Sequence, residues 1–259
     1  MMKKTIYVAG VMFCALLSVV SFCHVARYYA AAHKSAEEFA YLAGLARQEG
    51  ESAEGTPGGK TPEAGGRNRL DKYKELCRMN GDMAGWISIE GTKISYPVMH
   101  TPGNPDYYLD HSFEKEYSAY GVPFAAGHCS PLLPSDNIII YGHHMRNGTM
   151  FSGLEDYEDK DFYERHKTIC FDTLAETGKY EVMAVFKTTV YDQEGFRFYL
   201  FANAETGEEF KEYVEKCKEL SLYDTGVGAE YGDKLVTLST CEYSHKNGRF
   251  VVVAKRIGK

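Results

Sequence analysis

The sequence predicts a mainly β domain with peripheral helices, held behind an N-terminal transmembrane helix. Three observations predict it. Short strand-like runs separated by turn residues recur between residues 86 and 257, a spacing that fits a barrel better than a doubly wound parallel sheet. A long apolar segment with lysines ahead of it stands at the N-terminus. Between the two lies a Gly-, Glu- and Pro-rich stretch with no large apolar residue.

The apolar segment is IYVAGVMFCALLSVVSFCHV, residues 6–25. About 20 helical residues cover the roughly 30 Å hydrocarbon core of a bilayer. Lys3 and Lys4 precede it, which puts residues 1–5 in the cytoplasm and the rest of the chain outside. Ala30, Ala31 and Ala32 would suit signal-peptide cleavage, but the apolar run exceeds the usual h-region of about 7–15 residues, which favours an uncleaved anchor.

Residues 26–47 continue as a membrane-proximal helix. Residues 48–68, QEGESAEGTPGGKTPEAGGRN, cannot bury enough surface to offset their ordering entropy and read as a flexible tether. The folded domain is expected over 70–259. It opens with Leu70, Tyr73, Leu76 and Cys77 at helical spacing. Runs 86–89 and 93–98 flank Gly91 as a hairpin. Further strands are expected over Asn137–Tyr141, 168–172, 180–189, 234–239 and 250–257, with helices over 149–167 and Gly207–Leu220. The second helix puts Phe210, Tyr213, Val214 and Cys217 on one face.

Composition excludes some classes. With 44% apolar and 14% aromatic residues, the 259-residue chain holds ample material for a core and is not a disordered protein. A net charge of −7 argues against a nucleic-acid partner. Of the seven cysteines, Cys14 and Cys23 fall in the span, leaving Cys77, Cys129, Cys170, Cys217 and Cys241. An odd number outside the membrane leaves at least one thiol free in a monomer. With no CxxC pair, no structural zinc is expected.

Two clusters can carry chemistry. In DKLVTLSTCEYSHKNGRFVVVAKRIGK, residues 233–259, two strand-like runs enclose a polar segment. If they pair, Cys241 ends one strand and Arg249 begins the next, so their side chains approach. A cation beside a thiol favours the thiolate, and a guanidinium can donate to an oxyanion. On these residues alone a second reading stands: a packing cysteine and a strand-edge charge. In NIIIYGHHMRN, residues 137–147, an apolar strand ends at a Gly followed by His143 and His144. A histidine there sits at the rim of a sheet, where active sites commonly lie. A surface turn or half a metal site are the other readings, although His128 and Cys129 complete no recognisable ligand pattern.

TLSTC (237–241) followed by Arg249, together with YGHHM (141–145), resembles the signature of sortases, cysteine transpeptidases that attach proteins to the Gram-positive cell wall. GWISIEGTKISYPVMH (85–100), NPDYYLDHSF (104–113), SDNIIIYGHHMRNGTMF (135–151), VFKTTVYD (185–192) and VVVAKRI (251–257) resemble class B sortases in particular. The resemblance covers essentially all of 70–259. It implies a closed eight-stranded β-barrel, with Cys241 as nucleophile, His143 as acid/base and Arg249 as oxyanion stabiliser. Ser239, Leu109, Asn104, Tyr191 and Glu242 are the substrate-groove candidates it suggests, although residues 191–196 depart from the family's substrate-contacting loop. The implied substrates are secreted proteins with a C-terminal sorting motif cleaved after Thr, and the implied acceptor is a cell-wall peptide amine. No metal or cofactor is expected. A pilin-polymerising sortase, a cysteine hydrolase and a silent wall-binding module are the alternatives.

Overall fold

The computed structural model of the chain describes residues 2–52, 73–131, 135–191 and 195–258. The expected start of the domain near Leu70 and most of the tether lie outside the described residues. Helix α1, Met2–Ser52, runs through the apolar segment and continues five residues beyond the expected helix end at 47. The chain divides into two compact units: the helix up to Ala40, and Tyr41 onward. The first unit is a single helix along which large apolar side chains such as Phe13, Leu16 and Phe22 are exposed. By length and composition it suffices to cross a membrane. In the second unit the end of α1 contributes buried Leu42 and Ala46.

The second unit is built on eight strands: β1 Met83–Ser88, β2 Ser95–Met99, β3 Phe124–Ala125, β4 Asn137–Tyr141, β5 Thr168–Thr173, β6 Lys179–Thr189, β7 Leu235–Glu242 and β8 Gly248–Ile257. They close in the order β1-β2-β3-β4-β7-β8-β6-β5. A closed sheet leaves no unpaired edge. All pairs are antiparallel except β2 with β3 and β4 with β7. The expected hairpin is β1–β2, and Gly91 supplies its positive φ of +77°.

One expectation needs correction. Residues 149–167 are not a continuous α-helix. Phe151–Glu158 form a 3-10 helix, and α3, Lys160–Arg165, follows. Asp159 between them takes an extended backbone, and its side chain accepts from the Asp161 N–H. That cap starts a new helix and ends the old one. Helix α2, Lys74–Met79, precedes β1. Helix α4, Gly207–Leu220, has the bounds its periodicity predicts, and Phe210, Tyr213, Val214 and Cys217 are buried. Thr206 caps its N-terminus by accepting from the Glu209 N–H.

The α4 face explains what lies along β7. Residues two apart share a face of a strand, so Leu235, Thr237, Ser239 and Cys241 form one stripe. At one end Leu235 packs in a cluster with Phe210, Val214, Phe198, Val251 and Val253. Next, Thr237 donates to Asn137 Oδ1 (2.8 Å), and the Asn137 amide reaches Phe201 O (3.0 Å) and Tyr213 Oη (3.2 Å). Toward Cys241 the covering layer ends and a cavity opens.

Candidate active site

The cavity has a volume of about 280 Å³. Its walls include Leu109, Tyr141, His143, Tyr191, Ser239, Cys241 and Arg249. Three adjacent strands set its chemistry. In the antiparallel β7–β8 ladder Cys241 is directly opposite Arg249, so both side chains stand on one face with Cβ atoms about 5 Å apart. On the other side of β7 the parallel register pairs Tyr141 with Ser239. Pairing persists beyond Tyr141: Gly142 N donates to Ser239 O (3.2 Å) and Thr240 Oγ1 donates to Gly142 O (2.8 Å). Two residues further on each chain are His143 and Cys241. Cys241 therefore has the position of His143 on one side and that of Arg249 on the other, each backbone one strand away, about 4.8 Å per step.

Gly142 is required by packing. A Cβ there would lie 2.6 Å from the ring of Phe151, which is fully buried. Phe151 N also donates to His143 O (2.9 Å), so this close approach fixes the backbone of His143. The imidazole is held from a second loop: its Nε2 lies 2.6 Å from Leu109 O. A carbonyl only accepts, so Nε2 carries a hydrogen in the neutral ring as in the imidazolium. Gly121, at φ +55°, allows that loop to close, since a Cβ there would meet Leu109 O at 2.6 Å.

Comparison with known proteins gives one consistent result. A sortase domain matches residues 87–257. The chain is 37% identical over 190 residues to sortase B of Staphylococcus aureus, covering 72% of this chain and 75% of that protein. It is 34% identical over 191 residues to sortase B of Listeria monocytogenes, covering 73% and 75%. It also superposes on the Staphylococcus aureus sortase B-substrate complex with a TM-score of 0.74 at 30% identity, over 87% of this chain and 97% of that one. The chain belongs to the sortase family. Its relatives and its closed barrel place it in class B, and it is a cysteine transpeptidase acting on sorting-motif substrates. Sortases are cell-surface-associated proteins.

In this sortase domain the structure brings together His143, Cys241, Arg249, Ser239, Leu109 and Tyr191 around the cavity. Ser239 is 1% exposed, and its Oγ has no hydrogen-bond partner among the described residues. Tyr191 is exposed at the rim with φ +64°. Two selected residues stand elsewhere. Asn104 occupies an exposed turn closed by its N–H to Thr101 O (3.0 Å). The Glu242 carboxylate is directed away from the cavity: it accepts from Ser244 N (2.9 Å) and Oγ (2.8 Å), with Lys187 Nζ at 3.5 Å. This follows from alternation, because Glu242 is one residue past Cys241 and faces the opposite side. Its burial works to raise the carboxyl pKa, yet the Ser244 hydrogen bonds and Lys187 outweigh that and lower it. Sequence reasoning missed the Leu109 carbonyl, a backbone atom that no residue identity signals. Among the described residues no cluster of His, Cys, Asp or Glu could hold a metal.

Proposed function

We propose that Cys241 is the nucleophile, His143 the general acid and base, and Arg249 the oxyanion stabiliser of a two-step acyl transfer. The Cys241 thiolate attacks the Thr carbonyl of a sorting peptide, and the oxyanion is held by Arg249. The peptide C–N bond breaks as His143 protonates the departing amine, leaving a thioacyl-enzyme. A primary amine of a cell-wall peptide then attacks the thioester and gives a proton to His143, and the thiolate departs. One amide replaces another, so neither ATP nor an oxidant is consumed.

The observation that carries this reading is the register across β4, β7 and β8, which sets His143, Cys241 and Arg249 in one row at the cavity. Ser239 supports a role in substrate binding, since a buried hydroxyl without a partner gains most from a substrate amide. Leu109 and Tyr191 are the apolar and aromatic candidates beside it. The apolar part of α1 supports a single-pass anchor over residues 6–25, with residues 1–5 cytoplasmic and the catalytic domain, 70–259, outside the cell.

The test is product analysis by mass spectrometry with a sorting-motif peptide, with and without a glycine-peptide amine. Transpeptidation gives an amine adduct, and Cys241→Ala gives none. Hydrolysed acid alone, even at high amine, would make the chain a hydrolase. Peptide binding without turnover in both proteins would leave a binding module.

A further inference from the structure

His144 follows His143 and faces the other way, as adjacent residues in extended chain must. It is 15% exposed in its side chain, and the mechanism above does not use it. Its Nδ1 lies 3.1 Å from the carbonyl oxygen of Cys241 and 3.2 Å from Glu155 Oε1. Both partners are acceptors, so Nδ1 carries the hydrogen. Tyr243, two residues past the nucleophile, packs its ring against the imidazole at 5.1 Å, edge-on, and its hydroxyl donates to His144 O (3.3 Å). The histidine is thus clasped by the strand end that bears Cys241.

The contact bears on the reaction through one peptide unit. The Cys241 carbonyl points to the β4 side, as does that of Ser239, which accepts from Gly142 N. In a trans peptide, C=O and N–H point opposite ways, and no peptide bond among the described residues is cis. The Glu242 N–H, carried by the same unit, is therefore directed toward β8, where the ladder register pairs Glu242 with Gly248. Whatever holds the carbonyl end of that unit also fixes the orientation of its N–H end.

We propose that His144 is a positioning residue: by donating from Nδ1 to the Cys241 carbonyl, it sets the peptide unit 241–242, anchored on its other side by the ladder to β8, and with it the aim of the thiolate at the scissile carbonyl. Glu155 keeps the hydrogen on Nδ1 by accepting from the same atom. This rests on the reading of Cys241 as nucleophile. The competing role is a plain staple between the β4 and β7 ends, which would serve stability alone.

Two substitutions separate the roles. His144→Phe keeps the ring against Tyr243 and removes the donor. His144→Asn keeps an N–H near the place of Nδ1. We expect His144→Phe to lower kcat for sorting-peptide cleavage by about 10- to 100-fold, the scale of a small misplacement of reacting groups, with KM changed less than about threefold and the melting temperature near that of the parent. His144→Asn should recover most of kcat. The proposal fails if His144→Phe retains its kcat, or if His144→Asn is as slow as His144→Phe while equally well folded. Should His144→Phe not fold, the rate of Cys241 alkylation and kcat in His144→Asn and His144→Gln decide: Gln extends its amide toward the place of Nε2, so equal rates in the two would overturn it. Cys241→Ala runs alongside; turnover by that variant would instead remove the underlying assignment.

Discussion

Cys241 and Arg249 are directly opposed residues of the β7–β8 ladder, and both line the same cavity. A backbone register sets this pairing, so the base of the Arg249 side chain is placed beside that of Cys241 without depending on a mobile loop, and its guanidinium is tied back to Gly248 O (2.9 Å). Preorganised donors of this kind commonly contribute about 100- to 1000-fold in kcat.

Arg249→Ala is therefore expected to lose about that factor in sorting-peptide cleavage. Arg249→Lys should recover little of it, because an ammonium restores the charge without the planar fork of donors. Steady-state kinetics on a quenched fluorescent peptide would measure both. Near-parental turnover in Arg249→Ala would remove the residue from the mechanism.

Ser239 gives a different expectation. Its hydroxyl is buried and unpartnered among the described residues, so the free enzyme bears the cost of desolvating it. Ser239→Ala should leave the melting temperature unchanged or raise it, while kcat/KM falls about tenfold from one lost hydrogen bond to substrate. A variant with lower stability and normal kinetics would assign the hydroxyl to the fold.

The cysteines should differ sharply in reactivity. Burial pushes the Cys129 thiol from 9.0 up to about 11, and the Cys217 thiol to about 12. Only the thiolate alkylates, so brief iodoacetamide treatment near neutral pH should label the half-buried Cys241 and spare both. Sign follows by linkage: these folded thiols bind protons more tightly than unfolded ones, so their contribution is intact below about pH 9 and is lost as pH rises toward 11–12. Peptide mapping and alkaline melting curves check the two statements.

Much of this was legible in the sequence, and the limits have physical causes. The apolar runs of β7 and β8 marked both strands, but the expected ends at 239 and 250 fell short of Glu242 and Gly248. Ladder pairing is made by backbone groups and continues through Thr240, Cys241 and Arg249, where hydrophobic pattern has ended. Strand β3, two residues long, is too short to show any period. His143, Cys241 and Arg249 carry reactive side chains, but it was the resemblance of TLSTC, YGHHM and the following Arg249 to sortase motifs that singled them out. The Leu109 carbonyl and the His144–Cys241 contact did not stand out, since each joins residues 34 and 97 positions apart through a carbonyl that every residue possesses.

Asn137 tests the buried support of β7. Its side chain accepts from Thr237 and donates to Phe201 O and Tyr213 Oη, all out of water. Asn137→Ala strands these partners at once, and leaving buried polar groups unpaired should lower unfolding free energy by about 2 to 3 kcal/mol. Urea denaturation followed by tryptophan fluorescence of Trp86 would report it; a loss below about 0.5 kcal/mol would mean that the remaining groups re-pair among themselves.

Acid stability should depend in part on Glu176, which precedes β6. The Arg256 guanidinium on β8 donates to its carboxylate and holds its pKa below the ordinary 4.5, against a smaller opposing effect of burial. A depressed folded-state pKa means the unfolded chain binds the proton more readily. The contribution is therefore fully present above about pH 4.5 and is lost as pH falls through the folded value. Glu176→Gln, which keeps an acceptor but no charge, should flatten the melting-temperature profile below pH 4.5 and lower its plateau slightly at neutral pH, the effect being small because the carboxylate is 45% exposed and screened by solvent. If both proteins lose stability in parallel from pH 5 to pH 3, the pair contributes nothing to the acid transition and Arg256 is held by the Thr177 carbonyl alone.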